Sequence, residues 1–447
     1  MQTVTRVGPI LSARHRLHAF HTIDIALFFM QASGLLLFRS TECLVILKVE
    51  VSVLAVVFQF AIIGSVLITM SNAATTVEFQ EFPMPPLSRR TFLTASAVVV
   101  TAYGSRSSGN ETDEVQWQDV RDWGVEGRGF DDTSSYFDRL PARAKGVVRD
   151  AVWNLSRHSA GMMVRFRTDA TEIHADYKVT SSRLAMPHMP ATGVSGLDLY
   201  ATDTDGRSRW VAVVQPTAQE INVIIAKGLN PGLREYSIYL PLYNGTERLS
   251  IGTPRGTLFE PLAPRSEKPL VFYGTSITHG ACASRPGMPH PAILGRRLNR
   301  PVINLGFSGN GKLESAVGNF LTELDPAVYV LDCLPNMVAD EVKQRTEPMV
   351  RQLRAAHPTI PIVMTEDRTY SYSWIRQSSR NRNDSSRREF KAAYQRLLDD
   401  GVENLSYVDG DSLLSGDDTT DGSHPSDLGF FRHAEALEPV LREALVG

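Results

Sequence analysis

Cysteine is scarce: Cys43, Cys282 and Cys333 are the only three in 447 residues. An odd number cannot pair completely within one chain, and none stands at metal-ligand spacing from another, so neither a disulfide framework nor a cysteine metal centre is expected. Cys282 and Cys333 are read as packing residues. A bias of charge is missing as well. With 46 basic and 49 acidic residues the formal net charge is −3, and charge alone implies no nucleic-acid partner and no anionic membrane surface. What the chain does have is length, enough for two or three domains, each with its own core.

Charge is absent locally too. From Val51 to Met70 no residue is charged, over about the length of a bilayer crossing. Further on, Ser88-Arg89-Arg90-Thr91-Phe92-Leu93 precedes the apolar run Ala95 to Ala102, a pattern similar to a twin-arginine export signal. Export signals work from an N-terminus. The expectation is therefore that translation starts at Met84, that residues 84–112 form the signal segment and that residues 1–83 are absent from the working protein. The alternative is a membrane-anchored protein that retains the apolar extension. Export to the periplasm or the medium follows from the first reading.

Residues 116–265 have a different texture. Short alternating runs such as Met162–Arg167, Glu172–Tyr177, Trp210–Val214, Glu220–Ile225 and Arg234–Leu240 recur between turns rich in Gly, Asp, Asn and Pro. Period-two alternation with frequent turns predicts an antiparallel, jelly-roll-like β-sandwich.

Residues 268–447 alternate between element types. Apolar strands at Leu270–Tyr273, Val302–Leu305, Val328–Leu331, Ile360–Thr365 and Leu405–Val408 are separated by helical patterns near 287–299, 312–323, 340–356 and 384–400. That order predicts an α/β, flavodoxin-like doubly wound parallel sheet, with ligands at the C-terminal ends of its strands.

Residues with catalytic chemistry fall at those ends. Ser276 follows the first strand, Gly309 the second and Asn336 the third, while Asp421 and His424 stand three residues apart near the C-terminus. A serine hydroxyl needs an imidazole to take its proton and a carboxylate to hold that imidazole in the right tautomer. Ser276, His424 and Asp421 supply these three groups. A glycine lets a backbone N–H approach a reacting oxygen, and an amide side chain is a second donor, so Gly309 and Asn336 are candidates for an oxyanion hole with the N–H of Ser276.

The four blocks around Ser276, Gly309, Asn336 and His424 resemble those of the SGNH hydrolases, or GDSL-type esterases. The first block reads Gly-Thr-Ser-Ile rather than Gly-Asp-Ser, and the third Leu-Pro-Asn-Met rather than Gly-x-Asn-Asp. Upstream, Gly196-Leu197-Asp198-Leu199-Tyr200 is similar to the Gly-x-Asp-Leu-Tyr element of the β-domain that precedes certain SGNH esterases. The resemblance implies Ser276 as nucleophile, His424 as base, Asp421 as orienting acid, and Ser276, Gly309 and Asn336 as oxyanion donors. It implies a serine esterase needing neither metal nor organic cofactor. The expected substrate is a short-chain, first of all acetyl, ester on a small molecule or polysaccharide. Alternatives are a lipase- or thioesterase-type hydrolase acting on a non-carbohydrate ester, and a glycan-binding protein with an inactive hydrolase domain.

Three further features invite a function. His279 and His290 follow the nucleophile block and are read as loop or helix-capping residues rather than substrate contacts. Arg376 to Arg388 holds five arginines, read as a solvated loop rather than a polyanion site. Glu366–Trp374, after the fourth strand, is either a pocket cover that stacks on a sugar or an aromatic loop packed on the sandwich.

Overall fold

The structure is a computed structural model that describes residues 114–414 and 416–446 and, before them, four short strands. Strands β1 (Leu35–Arg39) and β2 (Leu44–Lys48) pair antiparallel, as do β3 (Val66–Thr69) and β4 (Glu78–Glu81). They belong to one compact unit, Met1–Ser107, and all that follows to a second, Ser108–Gly447. The export-signal segment 84–112 and most of the uncharged run 51–70 lie outside the described residues. Among the described residues no helix is long and apolar enough to cross a membrane.

The second unit begins with nine strands: β5 (Val115–Asp119), β6 (Met163–Thr168), β7 (Glu172–Val179), β8 (Asp198–Thr202), β9 (Ser208–Val213), β10 (Glu220–Lys227), β11 (Arg234–Tyr239), β12 (Thr246–Pro254) and β13 (Phe259–Leu262). Two short helices, α1 (Asp150–Leu155) and α2 (Ala191–Val194), interrupt them. The strands form antiparallel sheets ordered β10-β7-β12-β5 and β13-β6-β11-β8-β9. The first eight strands thus interleave as in a jelly roll, and β13 extends the second sheet. Alternation explains the packing: Ile173, Ala175, Tyr177 and Val179 of β7 all point into the core. There they meet Val164, Phe166, Leu199, Tyr236 and Ile238 from the facing sheet.

The rest of the unit is the α/β part. Its strands are β14 (Leu270–Gly274), β15 (Val302–Gly306), β16 (Val328–Asp332), β17 (Ile362–Thr365) and β18 (Leu405–Val408), all parallel in the order β15-β14-β16-β17-β18. Helices α3 (Ser276–His279), α4 (His290–Arg297), α5 (Ser315–Leu321), α6 (Ala339–Ala356), α7 (Gln377–Asp399) and α8 (Asp427–Ala444) alternate with them. Both sheet faces are covered, which is why β14, β15 and β16 are buried at every position. Val271, Tyr273, Tyr329 and Leu331 pack against α5, α6 and α7, whereas Leu270, Phe272, Val328 and Val330 pack against α4 and α8. The chain leaves β14 toward β15 and β16 toward β17, in opposite directions across the sheet, so the switch point lies between β14 and β16, where the crevice of such a sheet is expected.

Helix α7 departs from the sequence expectation by starting at Gln377 rather than near 384. Its first turns, Gln377-Ser-Ser-Arg-Asn-Arg-Asn, have no apolar period to read. They are helical because their buried face is polar: Asn383 and Ser386 are buried, and Asn383 donates to Asp367 while Ser386 donates to Met337 O. The arginines of 376–388 are therefore not a solvated loop. Arg382 and Arg387 reach the buried carboxylates of Asp367 and Glu366.

The jelly roll is fastened to the α/β part through the Gly-x-Asp-Leu-Tyr element. Gly196 is pressed between the carbonyls of Thr192 and Val214, where a Cβ has no room. Asp198 is fully buried, and its Oδ2 accepts from the N–H of Gly287 at 2.8 Å and from Arg285 at 2.9 Å, while Oδ1 accepts from Trp210 Nε1 at 3.0 Å. The segment Leu242–Asn244 reaches behind the nucleophile turn: Leu242 O accepts from His279 Nε2 at 2.7 Å and the Tyr243 ring stacks on His279 at 4.1 Å.

Burial makes His279, His290 and His433 acid-sensitive. Burial holds His279 and His290 well below the ordinary histidine pKa, and it lowers His433 to about 4. In the unfolded chain these rings take up protons near pH 6.5, in the folded chain only at much lower pH. Their contribution is thus present above pH 6.5 and lost as pH falls toward 4. Buried Asp332, raised by burial to about 7, and Asp138 and Asp198, which burial also raises, act oppositely as pH falls toward 4, but His158, lowered by burial to about 3, adds a fourth ring to the other side. Thermal unfolding followed from pH 7 to pH 4 should show a falling midpoint, with a shallower slope in His433→Asn. A flat profile would contradict the burial account.

Candidate active site

The first strand's end and the last loop meet at the crevice. After β14, the Thr275 hydroxyl accepts from Ile277 N–H at 3.2 Å and caps the single turn α3. Ser276 opens that turn, buried to 8 % exposure, with its Oγ 2.8 Å from His424 Nε2. His424 Nδ1 lies 2.8 Å from Asp421 Oδ2. The carboxylate fixes the tautomer: Nδ1–H donates to Asp421, which leaves the Nε2 lone pair for the serine proton.

Asp421 is itself held by its own loop. Its Oδ1 accepts from the backbone N–H of Ser423 at 3.0 Å and of His424 at 2.8 Å. Burial pushes the carboxyl up, but these N–H groups and the His424 ring outweigh it and hold Asp421 below the ordinary carboxylate pKa. It is thus ionised at neutral pH.

The oxyanion candidates lie in two sequence-distant loops, after β15 and after β16. Gly309 adopts φ +70°, and a Cβ built on it meets nothing within 4 Å, so the left-handed backbone rather than crowding demands glycine there. Asn336 closes a short 3-10 turn, Leu334–Asn336, just after β16. In the amide orientation that satisfies its neighbours, Asn336 Oδ1 accepts from the N–H of Asn310 at 3.1 Å and of Gly311 at 3.2 Å. The carbonyl end is then tied to the glycine loop, and Nδ2 is left as the donor.

Two histidines near the nucleophile in sequence have other places. His279 and His290 are both fully buried, His279 behind the nucleophile turn and His290 between Phe272 and Phe430. Neither is a surface cap or a substrate contact. Cys282 and Cys333 are free, buried thiols.

Sequence reading missed the charged framework behind the site. Arg368 is buried, its Nε donates to Ser423 O at 2.7 Å and its remaining nitrogens bond Ser423 Oγ and Asp367. Asp367 Oδ2 accepts from Arg382 Nη1 at 2.5 Å and Asn383 Nδ2 at 2.9 Å. Arg382 Nη2 in turn donates to Pro335 O at 2.5 Å and Met337 O at 3.1 Å, on either side of Asn336. One buried carboxylate therefore joins the loop of His424 to the loop of Asn336. Charged residues after β17 were visible in the sequence, but their partners lie in other loops.

The aromatic stretch after β17 packs on the catalytic loop. Ser371 N–H donates to Gly422 O at 2.9 Å, the Tyr370 and Tyr372 rings stack at 5.4 Å, and Trp374 is 75 % exposed. From the jelly roll, the His188 ring comes within 6.4 Å of the His424 ring.

Comparison with known proteins agrees with this fold. Residues 267–442 match the GDSL-like lipase/acylhydrolase family, and residues 115–259 match the GxDLY domain, the N-terminus of SGNH-hydrolase-type esterases. A protein from Bacteroides ovatus described as a GDSL-like lipase is 29% identical, with a TM-score of 0.71, over 74% of this chain and 98% of its own. The salicylyl-acyltransferase SsfX3 of a tetracycline biosynthetic pathway shares the fold at 19% identity and TM-score 0.59, over 74% of this chain and 97% of its own. A family two carbohydrate esterase from Cellvibrio japonicus aligns at 14% identity and TM-score 0.49, over 74% of this chain and 98% of its own. None of the curated proteins compared with the chain matches it. The chain belongs to the GDSL-type SGNH hydrolases with a GxDLY N-terminal domain, and it is a carboxylic ester hydrolase.

Proposed function

We propose that this esterase removes short acyl groups, first of all acetyl, from carbohydrate. Ser276 attacks the ester carbonyl as His424 takes its proton, and Asp421 stabilises the imidazolium. The N–H groups of Ser276 and Gly309 and the Asn336 amide hold the oxyanion. His424 then protonates the departing alcohol, and water, activated by the same ring, releases the acid from Ser276.

The observation that carries the substrate reading is the surrounding of His424. Because His424 hands its proton to the leaving alcohol, the alcohol lies on the histidine's side of the serine. That side is open and polar, with side-chain exposures of 26% for His424 and 44% for Asp421. The Tyr370–Trp374 loop, which packs against it, offers aromatic faces of the kind that stack on sugar rings. The twin-arginine-like segment supports export, where polysaccharide is met.

The test is acetate release from a panel of acetylated oligosaccharides, run beside a longer-chain aryl ester, with Ser276→Ala as control. Serine-dependent acetate release from sugars is expected. Turnover confined to the aryl ester would sink the carbohydrate reading and leave the esterase.

A further inference from the structure

A cavity of about 880 Å³ lies between the outer face of the β6-β11-β8 part of the jelly roll and helix α4. None of Ser276, Gly309, Asn336, Asp421 or His424 lines it. Its volume is in the range of small-molecule sites.

Its walls are cationic. Six arginines line it, against a single carboxylate, Glu235, which Arg165 already holds at 2.6 Å. Arg265, Arg285 and Arg297 are likewise paired, with Glu126, Asp198 and Glu438. Arg207 and Arg296 have no ion pair among the described residues. The two leave the cavity with more positive than negative charge even when every paired acid is counted.

Arg296 is the informative one. Its guanidinium stands over the Tyr200 ring at 4.3 Å and the Tyr239 ring at 5.4 Å, and its Nη1 is buried without a hydrogen-bond partner. A buried guanidinium donor left unpaired costs free energy, and a planar fork held on two aromatic rings is preorganised for a bidentate oxyanion. Tyr200, Met288 and Phe431 add apolar surface to the same cavity, so a bare ion would leave most of it unfilled.

We propose that this cavity binds an acidic saccharide, with a carboxylate or sulfate of the sugar on Arg296 and Arg207 and ring faces on the apolar wall. The sugar part rests on the carbohydrate reading above, the oxyanion part on the cavity alone. The cavity would then hold an acidic residue of the polymer while another, acylated, residue meets Ser276.

Calorimetric titration of the full chain carrying Ser276→Ala reads binding without turnover. The probes are an oligogalacturonate, a sulfated oligosaccharide of similar length, a neutral oligosaccharide and inorganic sulfate. One acidic sugar is expected to bind more tightly than the neutral one, and less tightly as salt is raised. Arg296→Gln should weaken that binding about tenfold or more, the scale of a hydrogen bond to a charged group. Arg207→Gln, at an exposed turn where folding is not at stake, should weaken it a few-fold. In the Ser276 protein Arg296→Gln should hydrolyse a simple aryl acetate at the parent rate.

Equal binding of neutral and acidic sugars, no binding of either acidic sugar, or binding indifferent to both arginine variants would overturn the proposal. Inorganic sulfate binding as tightly as the sugars would reduce the cavity to an ion site and overturn the saccharide part. None of these outcomes depends on acetate release, so failure here and failure of the esterase substrate reading are separately visible.

Discussion

Ser276→Ala is expected to lower turnover of a simple aryl acetate by roughly 10⁴- to 10⁶-fold, leaving only what the oxyanion donors and binding supply. That corresponds to about 5–8 kcal/mol of transition-state stabilisation, at about 1.4 kcal/mol per tenfold. Stability should change by no more than about 1 kcal/mol, because the substitution removes one hydrogen bond, that to His424 Nε2. The cap of the nucleophile turn stays, since it comes from Thr275. Covalent labelling by a serine-directed phosphonate should disappear along with turnover. A folded Ser276→Ala protein that still turns over ester would remove Ser276 from the nucleophile's role, whatever the fate of the labelling.

Arg368→Met should be the most damaging change that touches no substrate. It would strip Ser423 O and Oγ of a donor and leave Asp367, which is wholly buried, to Arg382 and Asn383 alone. Breaking one side of a buried ion pair costs about 3–5 kcal/mol, so the unfolding midpoint should fall by several degrees. The kinetic effect should be a lower kcat with KM for a small ester nearly unchanged, because the loop that carries His424 loses its anchor while the ester contacts remain. Arg368→Lys keeps the charge but not the fork, and should recover more of the midpoint than of kcat. If kcat per folded molecule were unchanged in both variants, the Arg368–Asp367–Arg382 bridge would be a device of stability only.

Much of the architecture was legible from hydrophobic period. Strands of β7's kind alternate because one face of the jelly roll is wet, and β14 to β16 are apolar throughout because both faces of the parallel sheet are covered. Where the period failed, polar burial was the cause. The first turns of α7 show no apolar stripe because Asn383 and Ser386 are buried against polar partners from other loops. Similarly, nothing in the spelling of His279 or His290 distinguishes a loop histidine from one that is fully buried. The arginines of 376–388 look like a solvated run until the carboxylates that receive Arg382 and Arg387 are known.

The sequence by itself determined which chemical groups are present and on which strand ends they fall, since the positions of strands and turns along the chain follow from local pattern. It also determined the short-range pair, because Asp421 and His424 are three residues apart and one loop brings acid to ring. Only the tertiary structure decided that Ser276 and His424, 148 residues apart, meet at 2.8 Å, that one buried carboxylate ties the loops of His424 and Asn336 together, and that the jelly roll leaves an arginine-lined cavity against α4. The reason is physical. Periodicity reports what a residue does to its own segment, whereas the partner of a buried charge is fixed by the packing of segments distant in the chain.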